Sequence, residues 1–121
     1  MSIIKLGITV MVVGFLANHF SGGGGDQAID LPALVQSGAF VVDVRTAGEF
    51  SGRHIENAIN IPYDVIAGEI GKYKADKDDP VIVYCRSGSR SASAKRSLEA
   101  AGYTRVVNGG SFRRMSKLLR Q

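Results

Sequence analysis

A single cysteine stands among the 121 residues, inside the stretch Tyr84-Cys85-Arg86-Ser87-Gly88-Ser89-Arg90-Ser91. One cysteine allows no internal disulfide, no Cys-X-X-Cys redox pair and no cysteine-built zinc site, so its chemistry uses an outside partner. Gly88 and the small serines let successive backbone N–H groups turn inward as a cradle. A helix opening directly afterwards adds the positive end of its dipole. Such a cradle holds an anion, and it stabilises a thiolate on Cys85, lowering the pKa from the unperturbed value of about 8.5. Arg86 and Arg90 add full charges suited to a planar or tetrahedral oxyanion. A buried cysteine at a strand end is often only a small hydrophobe. The glycine-containing loop, flanked by two arginines and opening a helix, points instead to a nucleophile.

The elements that must position this loop alternate in the manner of a parallel α/β domain. Ile29 to Ser37 is predicted helical, with Asp30 as N-cap and Gly38 as the stop. Phe40 to Val44 is an apolar run with polar residues at its end, hence a buried strand whose C-terminal end faces a cleft. Ala58 to Ile61 is a shorter strand closed by Pro62, and Asp64 to Ile70 a helix of one to two turns before the charged loop Lys72 to Pro80. Val81 to Tyr84 is the most strand-like stretch and delivers Cys85 from its carboxyl end, where open parallel sheets bind ligands. Ser91 to Ala101 is a helix stopped by Gly102. A last strand, Arg105 to Val107, runs into Asn108-Gly109-Gly110 and a basic helix from Ser111.

The chain is 45% apolar, enough for one compact domain with a core, and its net charge is +4. Residues 80–121 hold nine of the basic residues against one acid, Glu99. A basic third around the only cysteine draws small anions. These cations are not interleaved with aromatics and no nucleic-acid-binding motif accompanies them, so no nucleic-acid partner is expected. Neither histidine has a ligand cluster near it in sequence; no metal or organic cofactor is expected.

Before the domain, Lys5 and the apolar run Leu6 to Ala17 have the length of a signal-peptide core and fall short of the roughly 20 residues that span a bilayer. Residues 1–25 are therefore expected to be a signal peptide or membrane anchor with a glycine tether, and residues 26–121 the folded domain. This places the domain in the periplasm or on the inner membrane, with membrane contact only through the N-terminal segment. A cytoplasmic location is the alternative, because a low-pKa thiol in an oxidising compartment is vulnerable to oxidation.

Several segments resemble the single-domain rhodaneses, most closely the small exported phage-shock-protein-E type. Val42-Asp43-Val44-Arg45 with Glu49-Phe50 is similar to the family's Asp-Val-Arg…Glu-Phe signature. His54 to Pro62 resembles its His-Ile-x-x-Ala-x-Asn-Ile-Pro segment, Tyr84 to Ser91 its active-site loop, and Gly102-Tyr103 and Asn108-Gly109-Gly110 its closing elements. The resemblance implies a rhodanese-like α/β fold, a small parallel sheet flanked by helices. It also implies a ping-pong transfer of sulfane sulfur from thiosulfate, or a persulfide donor, to a thiol or cyanide, with a thioredoxin-like protein as one candidate acceptor. Cys85 is then the nucleophile, the Arg86, Ser87, Gly88, Ser89 and Arg90 amides bind the persulfide, and Arg86 and Arg90 orient the donor dianion. Asp43 and Arg45 match support residues beneath the loop, Arg45 and Glu49 are expected to form a structural ion pair, and His54 to make an internal hydrogen bond. Arg53 stands where the family has glycine, and the common tryptophan after Gly110 is missing, which touches substrate preference and not the cysteine loop.

Two other classes share these features. A cysteine phosphatase or arsenate reductase uses the same strand, loop and helix, but its loop is one residue longer and carries histidine where Tyr84 stands. A non-catalytic binding or sensing module of the same fold usually lacks the cysteine.

Overall fold

The computed structural model describes residues 25–26, 29–73 and 76–121. All of the expected signal or anchor segment, residues 1–25, except Gly25 lies outside the described residues; among the described residues, no helix is long and apolar enough to cross a membrane. The sheet has four parallel strands: β1 (Phe40–Asp43), β2 (Ile59–Asn60), β3 (Val81–Cys85) and β4 (Val106–Ser111), in the order β2-β1-β3-β4. Helices α1 (Leu31–Gln36), α2 (Ala47–Gly52), α3 (Ile66–Glu69), α4 (Ser89–Ala100) and α5 (Phe112–Leu119) connect and cover them. A 3-10 turn, Ile70–Tyr73, extends α3 past its expected end.

Every residue of β3 is buried, as expected of a central parallel strand covered on both faces. Side chains alternate across a strand. Val81, Val83 and Cys85 therefore join Ala94 and Leu98 of α4, Ile66 of α3 and Ile70 on one face, while Ile82 and Tyr84 join Leu31 of α1 and Met115 of α5 on the other. This alternation puts the cysteine, rather than the tyrosine beside it, under the amino end of α4.

Three differences from the sequence reading bear on the site, each with a local reason. Helix α4 starts at Ser89 because Gly88, at φ +103°, turns the chain directly out of β3. Strand β4 does not stop at Val107. Val83 pairs with Asn108 and Tyr84 with Gly110, so Gly109 is an extra residue at a bulge and the strand continues to Ser111. A Cβ on Gly109 would lie 2.6 Å from Met115 Sδ, which only glycine avoids. Helix α2 was not expected at all. Its start is a capping box, Thr46 Oγ1 accepting from Glu49 N–H while Glu49 accepts from Thr46 N–H.

Candidate active site

Cys85 ends β3 with its side chain fully buried. Its Sγ accepts from the Gly88 amide at 3.0 Å and the Ser91 amide at 3.4 Å, and lies 3.5 Å from Ser91 Oγ. Burial pushes the thiol pKa up. The Ser91 hydroxyl and the amides of Ser91, Gly88 and Ser87 together outweigh it, so the thiol ionises below its ordinary value. Of the amides expected to form the cradle, those of Ser87 and Gly88 act on the sulfur, while no hydrogen bond to it comes from those of Arg86, Ser89 and Arg90; the further donor is Ser91, which the sequence reading did not assign and whose amide and hydroxyl both reach the sulfur from the first turn of α4.

Arg86 and Arg90 occupy different situations. Arg90 is held in a two-pronged bond to Glu49, Nη1 to Oε1 at 2.9 Å and Nη2 to Oε2 at 3.1 Å. Glu49 was expected to pair with Arg45; it does not. The capping box aims the Glu49 carboxylate away from β1 and across to α4. Arg90 and the Thr46 amide hold its pKa down at about 2. Arg86 is exposed and makes no hydrogen bond or ion pair among the described residues, so its guanidinium is available to an anion. It lines an open cleft of about 430 Å³ with Arg45, Glu49, Phe112 and Arg113. Phe112 and Arg113 belong to the site through the bulged register that sets Ser111 opposite Cys85. The sequence carried no signal of that register beyond the glycine pair.

Arg45 pairs with Asp43 instead of Glu49. Its Nε and Nη2 donate to both Asp43 oxygens at 2.7–3.1 Å, its amide donates to the same carboxylate at 2.9 Å, and Nη2 also donates to the Arg53 carbonyl at 2.6 Å. Both residues are buried, and the Arg45 guanidinium packs over Phe112, 5.1 Å from the ring centroid. A charge pair so buried is kept by full hydrogen bonding, and losing one partner strands the other. It braces the carboxyl end of β1 against the wall of the cleft. His54 donates from Nδ1 to the Phe50 carbonyl at 2.8 Å and stacks on the Phe50 ring, a local clasp away from the sulfur. Arg53, where glycine was the family's choice, is extended and lays its guanidinium 5.2 Å from the Phe112 ring centroid.

The family model for the rhodanese-like domain matches residues 27–113. Thiosulfate sulfurtransferase PspE of Escherichia coli K12 is 39% identical over 72 residues, 60% of this chain and 69% of the relative. Thiosulfate sulfurtransferase GlpE of Pseudomonas savastanoi pv. phaseolicola is 40% identical over 80 residues, 64% and 74% of the two chains. Among solved structures, a rhodanese with anions from E. coli is 37% identical, with a TM-score of 0.61 over 63% of this chain and 89% of that one. The order of the strands, the amide cradle at the end of β3 and these matches agree: the chain belongs to the rhodanese-like domain family.

Proposed function

We propose that the chain is a thiosulfate sulfurtransferase working through a persulfide on Cys85. The observation that carries this reading is the sulfur itself, buried at the end of β3 yet accepting hydrogen bonds from the Gly88 and Ser91 amides, donors suited to an anionic sulfur. The Cys85 thiolate attacks the outer sulfur of thiosulfate; the S–S bond of the donor breaks and its electron pair leaves with sulfite. The outer sulfur of the resulting persulfide carries the negative charge and takes up the amides of the loop. A thiol or cyanide then attacks that outer sulfur, the new bond forms, and the electron pair of the broken S–S bond returns to Cys85 Sγ. Each half is a displacement at sulfur with a good leaving group, easier than one direct transfer. The lowered thiol pKa favours the thiolate nucleophile and lessens the need for a general base.

Arg86 meets the donor dianion at the rim, while Arg90, oriented by Glu49, contributes its charge from a fixed position. The named relatives support thiosulfate as donor. The N-terminal run supports export, with the domain in the periplasm or tethered to the inner membrane, and a thioredoxin-like protein suits the chemistry of the acceptor. Steady-state thiocyanate formation tests the assignment. Double-reciprocal plots against thiosulfate at several cyanide concentrations are expected to be parallel, as a ping-pong mechanism requires; intersecting lines, or turnover that survives Cys85→Ser, contradict it. Cell fractionation of the full-length chain tests the location, and recovery of the protein in the cytoplasm contradicts export.

A further inference from the structure

Ser91 has one hydroxyl proton and more than one place to put it. Its Oγ lies 2.7 Å from Asn108 Oδ1, 3.0 Å from the Gly88 carbonyl and 3.5 Å from Cys85 Sγ. Cys85, Ser91 and Asn108 are all buried. A hydroxyl offers one donor and two acceptor positions, so sulfur and carboxamide compete for the same proton. With Cys85 protonated, the S–H donates to Ser91 Oγ and the Ser91 O–H donates to Asn108. With the sulfur anionic, the hydroxyl turns to it. That turn strands no buried polar atom, because Asn108 Oδ1 also accepts from the Gly110 amide at 2.9 Å. Asn108 Nδ2 reaches toward the Gly88 carbonyl at 3.4 Å, which fixes the end of the carboxamide that faces Ser91.

The backbone of Asn108 is clamped as well. Asp26 N–H donates to its carbonyl at 2.8 Å, its own N–H donates to Asp26 Oδ2 at 2.9 Å, and Lys95 Nζ of α4 donates to that same carboxylate oxygen at 2.9 Å. A side chain held from both sides, and satisfied whether or not the hydroxyl points at it, has the form of a parking place for a moving proton.

We propose that Asn108 is a positioning residue for Cys85 that acts through the Ser91 hydroxyl, accepting it while Sγ is neutral and yielding it when Sγ becomes anionic. In sulfur transfer, which rests on the function proposed above, Sγ is anionic before attack, neutral in the persulfide and anionic again as the acceptor removes the outer sulfur. The hydroxyl therefore turns twice in each cycle, following the charge. A neutral carboxamide suits this role. A carboxylate at position 108 would keep the hydroxyl and set a like charge against the thiolate.

The charged groups around the sulfur are Arg90 with Glu49 from α4 and α2, Arg86 in the loop, Arg45 with Asp43 at the end of β1, Arg113 of α5 on the cleft wall, and Lys95 with Asp26 behind Asn108. None changes in the variants below. The test is a pH titration of the ultraviolet thiolate absorbance from about pH 5 to about pH 10, with Cys85→Ser subtracted, and thermal melting of each variant as a check on folding. Ser91→Ala and Asn108→Asp are expected to raise the midpoint by about one unit, the first by removing a donor to the thiolate and the second by opposing it with charge. Asn108→Ala is expected to lower the midpoint, since the hydroxyl then has one competitor fewer. A purely structural Asn108 would loosen the cradle and raise the midpoint in all three, so a rise in Asn108→Ala overturns the proposal. Should the alanine variant not fold, an unchanged midpoint in the near-isosteric Asn108→Asp overturns it as well. No sulfur donor enters this titration, so its outcome is independent of whether thiosulfate is the substrate.

Discussion

Tyr84 and Cys85 are neighbours in sequence, both fully buried, both ionisable, and the structure drives them in opposite directions. Burial pushes the Tyr84 phenol up, and the Asp43 carboxylate beside it adds to the rise against one backbone donor, Ile55 N–H at 2.9 Å. Burial pushes the Cys85 thiol up too, but there the donors win: amides of Ser87, Gly88 and Ser91 and the Ser91 hydroxyl converge on one sulfur. Desolvation is common to both groups. The sign is set by whether the donors outweigh burial: at Tyr84 burial, with Asp43, prevails over the Ile55 amide and the Arg45 charge, whereas at Cys85 a fan of N–H groups and the Ser91 hydroxyl prevails over burial. One residue of β3 pleat therefore separates a phenol whose ionisation is opposed and which serves the fold from a thiol whose ionisation is favoured and which serves chemistry.

The sharpest way to break this contrast is to remove the sulfur. Cys85→Ser is expected to lower kcat/KM for thiocyanate formation by about 10³-fold or more while urea unfolding stays close to wild type, since the side chains are nearly isosteric. Gly88→Ala attacks the fan instead of its target. A side chain at φ +103° costs about 1–2 kcal/mol in urea unfolding and misaligns the amide that lies 3.0 Å from Sγ, so the thiol pKa is expected to rise and the rate of persulfide formation at pH 7 to fall. Tyr84→Phe probes the other face. It strands the Ile55 N–H and is expected to destabilise by about 1–3 kcal/mol with the thiol titration unmoved.

A smaller effect concerns Glu49, whose depressed pKa sets a pH window. Its folded value of about 2 lies below the ordinary 4.5, so its contribution to stability is present above about pH 4.5 and is lost as the pH falls through about 2. Glu49→Gln is expected to be less stable than wild type at pH 6, with the difference shrinking to nothing toward pH 2 in urea unfolding. A constant difference across that range contradicts the assignment.

The site was legible where chemistry is local in sequence. Gly88, the serines and the helix after them announced an amide cradle for Cys85, and the Phe40–Val44 and Val81–Tyr84 runs announced buried central strands. Partner choice was not legible, because it depends on where a short helix points. The capping box of Thr46 and Glu49 lies in plain view in the sequence, but only the turn it builds shows that Glu49 faces Arg90 and leaves Arg45 to Asp43. The continuation of β4 had the same effect on Asn108 and Phe112. A Val-Val-Asn-Gly-Gly run reads as a strand that ends, whereas pairing continues through Asn108 and, past the bulge at Gly109, to Ser111, which brings Asn108 and then Phe112 to the site. Rhodanese-like membership was legible from the motifs together, since no one of them specifies it alone.

The central claim is that sulfur travels on Cys85, and intact-mass spectrometry of the purified protein tests it most directly. Incubation with thiosulfate is expected to add about 32 Da, one sulfur, to the wild type; cyanide should remove it, and Cys85→Ser should never acquire it. A wild-type protein with a demonstrably reduced thiol that stays unmodified in thiosulfate, or a Cys85→Ser variant that gains the same mass, would contradict the account.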